Sequence, residues 1–240
     1  MRNRIGVALL TALLLAASAT AQKKDLDMDI TAPDGAKLKA TYYSPGKPGP
    51  GMLLLHQCNM DRKSWVSLAG ALAERGVHVL AIDYRGYGES AERVDRNDRE
   101  AMQQIRTKWP ADIDAAFAAL LAQPGVDKTR VAAGGASCGV NNSVQLARRS
   151  GQIKALMLLS GNTNPEGMAF LQQNSNIPVF GAASAEDGNA VPNMKNIVGT
   201  SKSAATTIRE LNNAGHGVPM FTADPTLLPA IADWLAKVLR

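Results

Sequence analysis

The 240-residue sequence is poor in aromatic side chains, which make up 5% of its residues, and it contains only two cysteines and three histidines. No basic stripe with interleaved aromatic residues is present, so nucleic-acid binding has no support. The sequence also lacks a cluster of residues with metal-ligand spacing, and nothing in it calls for a metal or an organic cofactor. Its 45% hydrophobic and 20% charged residues are typical of a globular protein with a substantial core.

A hydrophobic run long enough to span a bilayer is missing as well. Near the start, two arginines precede an apolar run from Ile5 to Ala17, and small residues follow at Ala19 and Ala21. The run is shorter than the ~20 residues of a membrane span, although a membrane anchor is the alternative interpretation. The pattern predicts a signal peptide over residues 1–21, cut before Gln22, and an exported protein, periplasmic or secreted, without a stable membrane anchor.

Removal of that segment changes the charge only slightly. It contains two of the 26 basic residues and none of the 21 acidic ones, so the net charge would fall from +5 to +3. Export also permits a disulfide between the two cysteines.

Residues 22–240 are predicted to form one α/β domain. Period-two alternation on both sides of a Pro-Asp-Gly turn indicates an antiparallel hairpin at residues 25–44. Apolar runs without alternation are typical of strands buried on both faces. These runs are MLLLH (52–56), VHVLAID (77–83), RVAAGG (130–135), KALMLLS (154–160) and IPVFGAAS (177–184). Helical patterns lie between them, which predicts a doubly wound, mostly parallel sheet.

Three helix boundaries follow from local signals. The pattern of residues 64–76 ends at Gly76, and Pro110 is placed in the first turn of a second helix. Asp224 is expected to cap the last helix, with Pro225 behind it. The charged residues 89–110 are interpreted as a solvated helix, with a partial rim over a site as the alternative.

The segment Gly135-Ala136-Ser137-Cys138-Gly139 has the form G-x-S-x-G, with a buried strand before it and a helical pattern after it. This context is typical of a nucleophile elbow, in which Ser137 projects above the sheet. The backbone N–H of Cys138 would then serve as one oxyanion donor. A glycine-rich helix entry that serves only tight packing is the alternative.

A serine nucleophile needs a base, and three histidines are available. His78 begins a strand and His56 ends one, which favours a structural role for each. His216 lies in a Gly-flanked loop between a predicted strand and the last helix, from which it would reach the carboxyl edge of the sheet.

An acid should orient that histidine. Asp187 follows the strand IPVFGAAS in the loop AEDGNAVPN, at the carboxyl end of that strand. Glu186 is the alternative if the register is off by one residue. An acid beside Gly188 could also be only a turn former.

With these motifs the sequence resembles the α/β-hydrolases, and in particular their compact members similar to dienelactone hydrolase. The resemblance runs from MLLLHQCN through AIDYRGYGES, GGASCGV and SAEDGNAVP to NNAGHG. The order Ser, Asp, His is the order of that family. It implies an α/β-hydrolase fold, and the short connection over residues 161–176 implies little or no lid.

The sequence departs from the family at two places. His56-Gln57-Cys58 stands where many relatives have His-Gly, so the backbone of Gln57 or Cys58 is expected to supply the second oxyanion donor. Dienelactone hydrolase has a cysteine nucleophile, whereas Ser137 occupies that position here, which favours plain ester chemistry. The resemblance therefore implies an exported serine esterase acting on a small-molecule ester. A serine peptidase, an acyltransferase or a non-catalytic binding protein on the same fold are the alternatives.

The elbow motif also brings the cysteines together. Two N–H groups that share one oxygen lie within several ångströms of each other, and they belong to the 57–58 loop and to Cys138. Cys58 and Cys138 could thus be bridged by a disulfide. Two small buried residues that fit tight turns are the alternative.

Overall fold

The computed structural model describes residues 25–95 and 97–240, so the expected signal peptide lies outside the described residues. The strands are β1 (Asp25–Thr31), β2 (Lys37–Tyr43), β3 (Gly49–Leu55), β4 (His78–Ile82), β5 (Val126–Ala136), β6 (Ile153–Leu159), β7 (Val179–Ser184) and β8 (Thr207–Leu211). The helices are α1 (Val66–Glu74), α2 (Arg99–Leu121), α3 (Cys138–Ser150), α4 (Pro165–Gln173), α5 (Ala190–Val198), α6 (Met220–Ala223) and α7 (Leu227–Val238). A 3-10 turn, Arg62–Trp65, precedes α1.

All eight strands belong to one sheet, in the order β1-β2-β4-β3-β5-β6-β7-β8. The pairs β1–β2 and β2–β4 are antiparallel, and the other neighbours are parallel. The predicted mostly parallel sheet with an N-terminal antiparallel hairpin is therefore confirmed. Because the parallel strands point the same way, their carboxyl ends meet at one edge of the sheet.

Helices cover both faces of this sheet. Along β3, Leu53 and Leu55 pack into the core beneath α2, α3 and α5, whereas Met52 and Leu54 pack into the core beneath α1 and α7. The alternation follows from the two-residue period of a strand, and burial on both faces explains the unbroken apolar runs. Among the described helices, none is both long and apolar enough to cross a lipid bilayer.

The second helix begins earlier than its proline suggests. Asp98 caps α2 by accepting a hydrogen bond from the Ala101 N–H (3.0 Å), and Pro110 lies inside the helix. Placing Pro110 in the first turn was wrong. Ile105 and Trp109, before the proline, are buried, and this packing offsets the hydrogen bond that a proline cannot donate. Part of the charged segment 89–110 therefore belongs to α2 and has a buried face, so the interpretation as a solvated helix was incomplete.

The last helix, α7, begins at Leu227, which is later than expected. Asp224 accepts hydrogen bonds from the N–H (2.9 Å) and the hydroxyl (2.6 Å) of Thr226, and so stabilises the turn between α6 and α7. The expectation that Asp224 caps the last helix was wrong by two residues.

The connection between β6 and β7 contains one nine-residue helix, α4. The Asn164 side chain caps it by accepting a hydrogen bond from the Gly167 N–H (2.9 Å). This connection is too short to form a large lid, so the carboxyl edge of the sheet near it stays open.

Candidate active site

Ser137 stands at the sharp turn between β5 and α3. Its φ of 54° and ψ of −117° are unusual for a residue with a Cβ atom. The Ser137 N–H donates to the Leu159 carbonyl (2.9 Å), and its carbonyl accepts from the Val140 N–H (3.0 Å). These bonds hold a strained backbone in place, and such strain is typical of functional positions.

Two glycines make the turn possible. A Cβ atom on Gly135 would overlap the backbone of Gly139, and a Cβ atom on Gly139 would overlap the Leu55 carbonyl oxygen. Both positions therefore need glycine because backbone atoms, which cannot move aside like side chains, occupy the space.

His216 and Asp187 lie together at the carboxyl edge of the sheet. The His216 Nδ1 is 2.7 Å from the Asp187 Oδ2. Both residues line an open pocket of about 390 Å³ that Ser137 also lines. Among the described residues no direct hydrogen bond joins Ser137 to His216, and such bonds often tighten only when substrate binds.

Glu186, the alternative acid, has a different set of partners. Its Oε1 accepts hydrogen bonds from the Ser184 hydroxyl (2.6 Å) and the Gly215 N–H (2.9 Å), and its Oε2 accepts from the Asn213 N–H (2.7 Å). These bonds, first that of Ser184, lower the pKa of Glu186 to about 2. Glu186 thus anchors the loop that carries His216, a role that the sequence did not reveal.

The oxyanion-donor candidates lie where β3 and β5 end. Cys138 is the first residue of α3, so its N–H has no acceptor within the helix. The Gln57 carbonyl accepts from the Met60 N–H (3.0 Å) and contacts the His56 Nδ1 (2.8 Å). Because the N–H and C=O of a trans peptide point in opposite directions, these contacts also fix the direction of the Cys58 N–H.

The other two histidines have structural surroundings. His56 is buried, and its Nε2 accepts a hydrogen bond from the Tyr84 N–H (3.1 Å). His78 lies on β4 between the Tyr42 hydroxyl and the Lys47 carbonyl, and burial lowers the pKa of its ring. Neither lines the pocket of Ser137.

The Gln57 side chain joins two loops that are far apart in sequence. It is buried, its Oε1 accepts from the Val218 N–H (2.9 Å), and its Nε2 donates to the Asn59 Oδ1 (2.7 Å). A Cβ atom on Gly217 would overlap this Oε1, so Gly217 allows the close approach. Gln57 thereby holds the loop of His216 against residues 57–58, which carry candidate oxyanion donors.

We predict that Gln57→Leu lowers kcat by about tenfold, because Leu leaves the Val218 N–H unpaired, at a cost of ~1–3 kcal/mol, and loosens the His216 loop. Gln57→Glu should retain most activity, because burial favours the neutral form of a carboxyl, which still accepts from the Val218 N–H and can donate to the Asn59 Oδ1. Steady-state kinetics on an ester would check both variants. A change in KM alone, or equal losses in both, would contradict this positioning role.

Cys58 and Cys138 are joined by a disulfide in the structure, with their Cα atoms 5.9 Å apart and 80 positions apart in sequence. The disulfide links the 57–58 loop to the first residue of α3. It therefore holds both candidate donor segments at a fixed separation.

We expect no free thiols when the denatured, unreduced protein is titrated, and a monomeric mass under the same conditions. Closing a loop of this length is worth ~4 kcal/mol by chain entropy, so reduction should lower the melting temperature and, through the donors, ester turnover. Two free thiols per chain would refute the bridge. Unchanged turnover after complete reduction would show that the disulfide is not needed to position the oxyanion donors.

The fold and this edge of the sheet define a protein of the α/β-hydrolase class. The sequence comparison gives the same assignment: residues 50–211 match the alpha/beta hydrolase fold family, and the chain belongs to that family. Over 123 residues, 50% of this chain, it is 32% identical to the uncharacterized protein Rv2307c of Mycobacterium tuberculosis. The match spans 40% of that relative's length.

Solved structures have the same fold at low sequence identity. The Pyrococcus furiosus esterase Pf2001 superposes with a TM-score of 0.71 at 14% identity, over 91% of this chain and 92% of the esterase. The dienelactone hydrolase of Anabaena variabilis gives 0.67 at 18% identity, over 91% of this chain and 100% of that protein. Family membership and fold support a hydrolase.

Proposed function

We propose that the protein is a serine hydrolase that cleaves carboxylic esters of small molecules through an acyl-enzyme on Ser137. The observation that carries the proposal is the 2.7 Å contact between His216 and Asp187 at the pocket that the positive-φ Ser137 also lines. Nucleophile, base and acid in this order match the family pattern.

In the first half-reaction the His216 Nε2 accepts the proton of the Ser137 hydroxyl while the Ser137 Oγ bonds to the carbonyl carbon of the ester. The N–H groups of Cys138 and of the 57–58 loop stabilise the negative charge on the carbonyl oxygen. The tetrahedral intermediate then expels the alcohol oxygen, which receives the proton from His216. Asp187 keeps the proton on Nδ1 and stabilises the charged ring.

In the second half-reaction water takes the place of the alcohol. His216 accepts a proton from the water, whose oxygen bonds to the acyl carbon, and the same proton returns to the Ser137 Oγ as the ester to the enzyme breaks. The products are a carboxylic acid and the regenerated enzyme. No step requires a group beyond the side chains and backbone described.

The same residues would also support a serine peptidase or an acyltransferase, because both proceed through an acyl-enzyme. These alternatives differ in the leaving group or in the acceptor of the acyl group. A non-catalytic binding protein would differ more, since it would form no acyl-enzyme.

Labelling with a fluorophosphonate, followed by a panel of p-nitrophenyl esters and peptide anilides, tests the proposal. We expect stoichiometric labelling and turnover of esters in preference to anilides. Absence of both labelling and turnover would favour a binding protein. Labelling with faster anilide cleavage would favour a peptidase.

We also propose that the protein is exported, on the basis of the basic and apolar pattern of residues 1–21. Mass spectrometry of the protein secreted by an expressing bacterium should give a mature amino terminus at Gln22. An intact amino terminus on active protein in the cytoplasmic fraction would contradict export.

A further inference from the structure

A groove of about 570 Å³ lies between α2 and α3, beside the Cys58–Cys138 disulfide. Cys138 borders both this groove and the pocket that holds Ser137. Trp109 and Ile113, both almost fully buried, form the apolar floor of the groove. The groove and the pocket of Ser137 therefore adjoin at Cys138.

Three arginines line the groove, and they differ in how their charges are compensated. Arg149 is paired with Asp114 through its Nε and Nη2. Neither Arg106 nor Arg148 has an acidic partner among the described residues, so the groove carries two uncompensated positive charges.

Arg148 is oriented by a chain of two amide side chains, of which Gln145 is buried and Asn164 is exposed. Its Nε donates to the Gln145 Oε1 (2.8 Å), and the Gln145 Nε2 donates to the Asn164 Oδ1 (2.7 Å). Because Gln145 is buried, it fixes the guanidinium without neutralising it. The terminal nitrogens of Arg148 remain available for the two-pronged contact that arginine makes with a carboxylate.

Arg106 reaches the groove from α2. Its guanidinium carbon lies 5.6 Å from the centre of the Trp109 ring, a contact that orients the side chain. Within the described part of the chain its guanidinium donates no side-chain hydrogen bond. Two arginines from different helices thus present donors to one groove.

The chemistry indicates which part of the substrate would enter the groove. His216 has to protonate the departing alcohol, so the alcohol lies on the His216 side of Ser137, and the acyl group extends past Cys138 in the other direction. Gln145, against which Arg148 rests, is seven residues along α3 from Cys138. That separation is roughly 10 Å, or about eight carbons of an extended chain.

We propose that the acyl group of the substrate is a medium-length chain ending in a carboxylate, which Arg106 and Arg148 bind. This inference rests on the proposed esterase function and specifies its substrate class as half-esters of dicarboxylic acids. The apolar middle of the chain would pack against Trp109 and Ile113.

Paired p-nitrophenyl esters test the inference, one of suberic acid with its second carboxylate free and one of octanoic acid. We expect kcat/KM to be about tenfold higher for the suberate half-ester, because two exposed charge contacts each contribute a few-fold. This ratio should decrease as salt is raised. It should fall to about one in the double variant Arg106→Gln/Arg148→Gln.

Lys237→Gln is the control, because it removes one charge from α7, a helix on the opposite face of the sheet, and it should keep the ratio. Equal rates on both esters by a fluorophosphonate-reactive wild type would overturn this inference and leave the esterase proposal intact. A ratio that survives in the double variant would also overturn it. Absence of labelling and of turnover on either ester would overturn both proposals.

Discussion

Ser137→Ala is expected to abolish fluorophosphonate labelling and to lower kcat on a p-nitrophenyl ester by at least ~10⁴-fold, because in the proposed mechanism the Oγ forms the covalent intermediate. The fold should persist, since the backbone bonds of Ser137 to Leu159 and Val140 do not involve the hydroxyl. Alanine retains the Cβ atom, so the backbone strain at this position stays the same. Circular dichroism and a melting curve would verify the fold.

Ser150→Ala, at the other end of α3, is the matched control and should leave both labelling and turnover unchanged. The variant Cys58→Ala/Cys138→Ala separates serine from cysteine chemistry, since it removes both cysteines and should still be labelled. Undiminished turnover by Ser137→Ala would show that the nucleophile was assigned to the wrong residue.

The parts of the fold that sequence predicts well are those dictated by local rules. The apolar runs correspond to β3 through β7 because a strand covered on both faces cannot alternate in polarity. The elbow was predictable because only glycine fits at positions 135 and 139 when the backbone turns so sharply. Such steric and burial constraints act on neighbouring residues, which makes them readable in a single sequence.

The contacts that link distant segments were not readable in this way. Gln57 meets the Val218 N–H across 161 positions, and Glu186 reaches the Gly215 N–H across 29. Nothing in the local pattern at Gln57 or Glu186 points to these partners, because they depend on how loops converge above the sheet. From the sequence, Glu186 could be identified only as an acid in the loop that follows β7.

The predicted starts of two helices were wrong for a related reason. Pro110 carries the signal of a first turn, yet buried residues on both sides of it extend α2 from Arg99 to Leu121. Tertiary packing therefore outweighed the local preference of proline. A boundary taken from one residue type is reliable only when no apolar face continues past it.

Asp187→Asn should lower kcat by up to ~10⁴-fold while leaving the fold and KM nearly unchanged. The His216 Nδ1 lies 2.7 Å from the Asp187 Oδ2. In the proposed mechanism this carboxylate keeps the ring proton on Nδ1, so that Nε2 can accept the proton of Ser137. An asparagine amide can donate to Nδ1, which would place the ring proton on Nε2 and remove the base.

The neighbouring variant Glu186→Gln is the appropriate comparison, because it makes the same carboxylate-to-amide change one residue away. The amide keeps one acceptor oxygen but loses the other, so one of the three bonds that anchor residues 184, 213 and 215 would be lost. We expect a loss of less than ~10-fold for this variant, consistent with one weakened hydrogen bond. A larger loss in Glu186→Gln than in Asp187→Asn would assign the orienting acid to Glu186. Comparable losses of ~10⁴-fold would mean that holding the His216 loop matters as much to catalysis as fixing the proton on its ring.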